Sequence, residues 1–139
     1  MLPYFIDTKE DLEKLIQKIE ALEKSSYNLK NDWDQALNEI FTEEEKEYIN
    51  KTIQQAGGDK EHTLRDLREE LEKTKTINIT LAWKPTVKQQ KKIAKKIKGW
   101  VKNAVIKTHY NPDISGGVVL EYKGKYLDLS LKHKYETGI

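Results

Sequence analysis

The sequence has 139 residues, of which 37% are hydrophobic and 35% are charged, with a formal net charge of +2. This length suits one ordinary domain, or a small domain with a helical extension. The absence of cysteine excludes a disulfide framework, thiol catalysis and thiolate zinc sites. No apolar run reaches the length of a membrane span, and the N-terminus lacks the features of a signal peptide. The sequence therefore predicts a cytoplasmic protein without a transmembrane helix.

The charges are distributed unevenly along the chain. Residues 1–76 carry 12 basic and 19 acidic side chains, a net charge of −7, whereas residues 77–139 carry 13 basic and 4 acidic side chains, a net charge of +9. Two segments of opposite sign indicate two structural units. We predict an acidic helical region at residues 1–75 with three to four helices, and a basic α/β domain at residues 76–139.

The acidic region is predicted to be helical because its apolar residues recur at spacings of three and four. The first helix is expected over residues 7–24, where Asp7 and Glu10 form a capping box at its start. A second helical segment is expected over residues 31–56. It has a corner at Thr42, where a second capping box begins.

A third helix is predicted over residues 60–75, after the stop signal of Gly57-Gly58. Its narrow apolar stripe consists of Leu64, Leu67 and Leu71. The acidic run Glu43–Glu45 of the preceding segment could suggest a metal site. Consecutive helical positions do not share a face, however, and carboxylates are favoured in a first helical turn, so we interpret this run as a solvated helix start.

The basic region begins with a strand predicted over residues 76–83, which alternate and are rich in β-branched types. A helix is predicted over residues 86–102, started by a capping box of Thr86 and Gln89 and ended near Gly99 or Asn103. Three further strands are expected: residues 104–110, 117–122 and 125–131.

This β-α-β-β-β order predicts an α+β fold. The first two strands are joined by a helical crossover, which is long enough to make them parallel. The last three strands can form a meander. We therefore expect N-terminal helices followed by a small mixed sheet with one helix packed on it.

The lysine-rich helix 86–102 raises the possibility of nucleic-acid binding, because a run of lysines can follow phosphates and the tryptophans nearby can stack on bases. This half of the chain contains no arginine, which is the usual base reader and phosphate ligand. We therefore favour a solvated helix face and keep a small nucleic-acid-binding or adaptor protein as the alternative.

The residues predict no enzyme site, cofactor site or metal site. His62, His109 and His133 lie in separate segments and lack the spacing of a metal-binding pair. Asp128 and Ser130 share a strand face, but no histidine or second carboxylate is placed beside them to activate a nucleophile.

The C-terminal half nevertheless resembles a known family. After the Lys-rich helix that opens at Pro85-Thr86 come the run Asn111–Leu120, which contains Pro112, Gly116 and Gly117, and the strand Tyr126–Lys132, which contains Asp128 and Ser130. This ordered combination, over about residues 76–139, resembles the C-terminal domain of the F-type ATP synthase delta subunit, or oligomycin-sensitivity-conferring protein. Asn111 stands where that family usually has Asp, and Ser115 where it has an aliphatic residue.

The resemblance implies a non-catalytic stator subunit without cofactors. Such a subunit joins the catalytic head to the peripheral stalk and resists torque. Its N-terminal helical bundle binds alpha subunits, and its C-terminal domain binds the stalk b subunits. It is held at the inner face of the membrane only through the complex. About 75 residues stand here in place of a bundle of about a hundred, which implies a shortened or replaced bundle.

Apolar positions of two helices are the candidate partner-binding residues. They are Val87, Ile93, Ile97 and Trp100 on the basic helix, and Leu64, Leu67 and Leu71 on the third acidic helix.

Overall fold

The computed structural model describes residues 2–27, 32–114, 118–122 and 125–128. For residues 26, 27 and 125–128 it describes the backbone alone. The chain divides into two compact units. Among the described residues, the helical unit comprises 2–5 and 11–74, and the sheet unit comprises 6–10 and the chain from Lys75 onward. The predicted division into 1–75 and 76–139 did not anticipate that residues 6–10 group with the sheet.

The N-terminal half of the described chain contains four helices: α1 (Lys9–Tyr27), α2 (Trp33–Ile40), α3 (Glu43–Gln55) and α4 (Lys60–Glu72). The corner predicted at Thr42 is confirmed. The Glu45 amide donates to the Thr42 hydroxyl at 3.3 Å, and the Thr42 amide donates to the Glu45 carboxylate at 2.9 Å. These two bonds satisfy amides that the helix itself leaves unpaired and so fix the start of α3. Helix α1 begins at Lys9, two residues later than predicted, so the cap position falls on Thr8 and the start predicted at Asp7 with Glu10 is wrong.

The apolar stripes of these helices form the core of the helical unit. Side chains exposed by at most 8% include Leu15, Ile19, Leu22, Leu37, Ile49, Ile53, Leu64, Leu67 and Leu71. The stop predicted at Gly57-Gly58 is also confirmed. Gly57 and Gly58 have φ angles of 95° and 91°, a left-handed backbone that glycine adopts at little cost and that ends α3 before α4.

The sheet unit contains strands β1 (Lys75–Leu81), β2 (Ala104–Tyr110), β3 (Val118–Tyr122) and β4 (Lys125–Asp128), and helix α5 (Val87–Trp100). Strand β1 pairs in parallel with β2, as the crossover predicts, and the spatial order is β2-β1-β3-β4. The α+β class and the mixed sheet are therefore confirmed.

The predicted meander of the last three strands is wrong for β2 and β3. Strand β3 pairs antiparallel with β1, with Ile79 opposite Leu120, and of the last three strands only β3 and β4 pair with each other. Strand β1 is central, and its alternate residues Ile77, Ile79 and Leu81 are buried. A central strand needs partners on both edges for its backbone groups, and β3 supplies the second edge.

Helix α5 covers one face of this sheet. Ala94 and Ile97 are buried in one cluster with alternate residues of β1 and β2. The helix ends at Trp100, where the Val101 amide donates to the Ile97 carbonyl at 2.8 Å. Of the two predicted ends, Gly99 lies inside the helix, while Asn103 has a left-handed φ of 56° and leads the chain into β2.

Candidate functional site

Helix α5 is held in place at both its start and its inner face. Its predicted capping box is confirmed: the Gln89 amide donates to the Thr86 hydroxyl at 3.1 Å, and the Thr86 amide donates to the Gln89 side chain at 3.0 Å. Its inner face packs on the sheet through Ala94 and Ile97. The outer face of α5 is therefore presented on a fixed element, which is what a binding surface requires.

The four candidate residues of α5 divide into two pairs. Val87 and Trp100 are 70% and 67% exposed, whereas Ile93 is half-buried and Ile97 is buried against the sheet. Val87 and Trp100 are separated by about 20 Å along the helix and point about 140° apart around it. They therefore border the outer face at opposite ends and do not form one apolar patch.

Between these two side chains lies a face of lysines, which we call the lysine face. It consists of Lys88, Lys91, Lys92, Lys95 and Lys96, all exposed. Among the described residues, the side chains of these five lysines make no ion pair or hydrogen bond. Lys96 precedes Trp100 by one helical turn, so cation and indole are neighbours on the surface. This arrangement suits an acidic partner that also offers an apolar side chain.

Lys98 differs from the other lysines of α5. Its ammonium donates to the Asp7 carboxylate at 2.8 Å and to the Ile6 carbonyl at 2.5 Å. The sequence shows only that Lys98 borders the apolar stripe of α5, adjacent to Ile97. Such a border position is the available signal that this lysine has an internal partner, and it does not reveal which one.

The leucines predicted as partner-binding residues lie inside the helical unit. Leu64, Leu67 and Leu71 are exposed by at most 5% and so offer no surface. Beside them on α4, Arg68 donates to Glu23 of α1 at 2.8 Å, and this carboxylate raises the pKa of the guanidinium. The narrow stripe of α4 is therefore a core contact with an ion pair at its border.

The structure describes the first part of the turn motif that follows β2, residues 111–114. Pro112 follows β2 in a turn where the Asn111 amide donates to the Leu81 carbonyl at 2.9 Å, and the Asp113 amide donates to the Asn111 side chain at 3.0 Å. Gly116, Gly117 and Ser130 lie outside the described residues. Asp128 ends β4 opposite Val119, and its side chain lies outside the description.

A line of polar side chains crosses three strands of the sheet. The Nε2 of His109 lies 3.0 Å from the Asn78 Oδ1, and the Asn78 amide donates to the Glu121 carboxylate at 3.0 Å. The sequence placed His109 on a strand but could not predict these partners, because they depend on the register. These contacts cross-link β2, β1 and β3 through their side chains.

Two further observations concern the described part of the chain. It contains no group of three or more histidine, aspartate or glutamate side chains that could hold a metal ion. None of its helices is long and apolar enough to cross a membrane.

Comparison with known proteins gives one family match. The model of the ATP synthase delta (OSCP) subunit family matches residues 7–137, which is nearly the whole chain. The match thus reaches well beyond the C-terminal segment that carries the motif resemblance and includes the N-terminal helices. No curated protein matches the chain. The chain belongs to the ATP synthase delta (OSCP) subunit family, a family of non-catalytic subunits of the peripheral stalk of F-type ATP synthase.

Proposed function

We propose that this protein links the catalytic head of an F-type ATP synthase to its peripheral stalk. The observation that carries the proposal is the family match over residues 7–137. In this role the protein performs no chemistry and resists torque while protons drive the rotor. The protein is then attached to the inner face of the membrane only through the complex.

The sheet unit is proposed to bind the b subunits of the stalk through the outer face of α5. The lysine face supplies positive charge, and Trp100, which is 67% exposed, supplies an apolar anchor beside it. Exposed aromatic side chains next to cations are typical of binding hot spots. The helical unit is proposed to bind the alpha subunits of the head, a role for which Leu64, Leu67 and Leu71 supply packing and no direct contact.

The proposal is tested by purifying a tagged copy from its native host and identifying the proteins that accompany it by mass spectrometry. Recovery of alpha, beta and b subunits supports the stator role. Recovery of nucleic acid or unrelated proteins, without synthase subunits, overturns it and favours the alternative of a nucleic-acid-binding module. Phosphate binding has a recognisable signature, since it weakens by roughly a decade per decade of salt for each contact.

A variant pair tests the surface itself. Trp100→Ser is expected to reduce recovery of the b subunits by about tenfold or more, because buried aromatic anchors carry much of the affinity of an interface. Tyr110→Ser is the matched control, since Tyr110 is an exposed aromatic residue of the same unit, 50% exposed, on β2. Recovery of alpha subunits should stay unchanged in both variants. Equal b recovery from both variants would exclude Trp100 as the anchor.

A further inference from the structure

Residues 6–10 belong to the sheet unit although the helical segment 11–74 separates them from it in sequence. Ile6 and Asp7 are exposed by only 3% and 7%. Thr8 forms a parallel bridge with Ile106 of β2, and the Ile106 amide donates to the Asp7 carbonyl at 3.1 Å. Asp7 and Thr8 therefore pair with the outer edge of β2 just before α1 begins at Lys9.

A second contact fastens the same segment from another element. The Lys98 ammonium, in the last turn of α5, donates both to the Ile6 carbonyl and to the Asp7 carboxylate, at 2.5 and 2.8 Å. The side chains of Lys98 and Asp7 are 27% and 10% exposed. A charge-assisted bond that is mostly shielded from water is stronger than an exposed ion pair.

The pairing also supplies a hydrogen-bond acceptor at the edge of the sheet. Strand β2 stands at one end of the strand order, and its residue Ile106 is fully buried. A buried amide without an acceptor is costly, and an uncovered strand edge invites pairing with other chains. The Asp7 carbonyl supplies the acceptor at this position.

We propose that residues 6–10 act as a strap, closed by Lys98, that completes the outer edge of β2 and so builds the sheet unit from both sides of the helical segment. The chain enters that segment after Glu10, the last residue of the strap, and leaves it before Lys75, which begins β1. The sheet unit is thus assembled from residues that lie on both sides of the helical segment in the sequence. The inference stands independently of the proposed stator role.

Amide hydrogen exchange of the full chain, followed by NMR, tests the strap. The Ile106 amide reports on it directly, because it donates to Asp7, whereas the Asn111 amide donates to Leu81 and reports on the β1–β2 pair away from the strap. Asp7→Asn and Lys98→Met are expected to speed exchange at Ile106 by about tenfold or more, and at Asn111 by less than about twofold.

Matched variants separate the effect of the Lys98–Asp7 contact from general effects of charge or folding. Lys95→Met removes an exposed lysine of the same helix and should leave both amides unchanged. Lys98→Arg keeps a cationic donor and should restore protection at Ile106, and Asp7→Asn/Lys98→Met should add little to either single change. Unchanged exchange at Ile106 in Lys98→Met, or equal acceleration at Ile106 and Asn111, would overturn the strap.

Discussion

Glu45 shows how one side chain can serve two contacts at a helix start. Its carboxylate accepts from the Thr42 amide and from the Lys18 ammonium at 2.7 Å, while its residue is 8% exposed. Burial opposes ionisation, but the bonds from Lys18 and Thr42 outweigh it, and the pKa of Glu45 lies below its ordinary value of 4.5. The ionised form of this carboxyl therefore stabilises the folded state.

The lowered pKa of Glu45 makes the free energy of unfolding depend on pH. A carboxyl with a lowered folded pKa contributes stability above its ordinary pKa and loses it as the pH falls through the folded value. Glu45→Gln keeps a side chain that can complete the capping box but removes the charge that pairs with Lys18. We expect it to lower the free energy of unfolding by about 1 kcal/mol at pH 7. The difference should shrink toward zero below pH 4.5.

Urea unfolding of both proteins at neutral and acidic pH measures this difference. Glu61→Gln is the control, since Glu61 is an exposed carboxylate in the first turn of α4. A Glu45→Gln effect that persists unchanged in acid would show that the loss is steric and not electrostatic.

At the scale of single elements, two of the three predicted capping boxes located a helix start. The pairs Thr42 with Glu45 and Thr86 with Gln89 each start a helix where the sequence predicts it. These signals are local, since cap and partner are three residues apart and need no tertiary contact. They located the corner between α2 and α3 and the start of the helix that carries the candidate surface.

Thr86→Ala tests how much of the order of α5 depends on its cap. Loss of the hydroxyl leaves the Gln89 amide without its acceptor, and we expect the free energy of unfolding to fall by about 1 kcal/mol. Thr86→Ser keeps the hydroxyl and should stay within a few tenths of a kcal/mol of the parent. Thermal or urea denaturation followed by circular dichroism compares the three proteins, and equal stability of Ala and Ser variants would contradict the role of the cap.

Signals that depend on distant residues were not accessible from the sequence. Strand β3 lies beside β1 and not beside β2, because the central strand needs a second edge, and periodicity does not specify which strand provides it. For the same reason the partner of Lys98 could not be predicted, because Asp7 lies 91 residues away in the sequence. The narrow stripe of α4 likewise could not show whether Leu64, Leu67 and Leu71 face the core or a partner.

At the scale of the whole molecule, the sheet unit is built from two separate segments of the chain. Residues 6–10 and the chain from Lys75 onward contribute to it, with the helical segment between them. A fragment that begins at Lys75 therefore lacks the acceptor of the Ile106 amide and the carboxylate partner of Lys98. Both losses occur at largely buried groups, so the fragment should be less stable than a chain that keeps the strap.

This expectation can be measured with two shortened chains. In one, residues 1–10 are joined to residues 75–139 by a flexible Gly/Ser linker in place of the helical segment, and in the other, residues 75–139 stand alone. The linked chain is expected to melt about 5–15 °C higher, the shift that roughly 1–3 kcal/mol produces in a domain of this size. Asp7→Asn in the linked chain should remove part of that gain, because it weakens the bond to Lys98 without shortening the chain. Equal melting temperatures for the two chains would mean that the sheet unit completes its structure without residues 6–10.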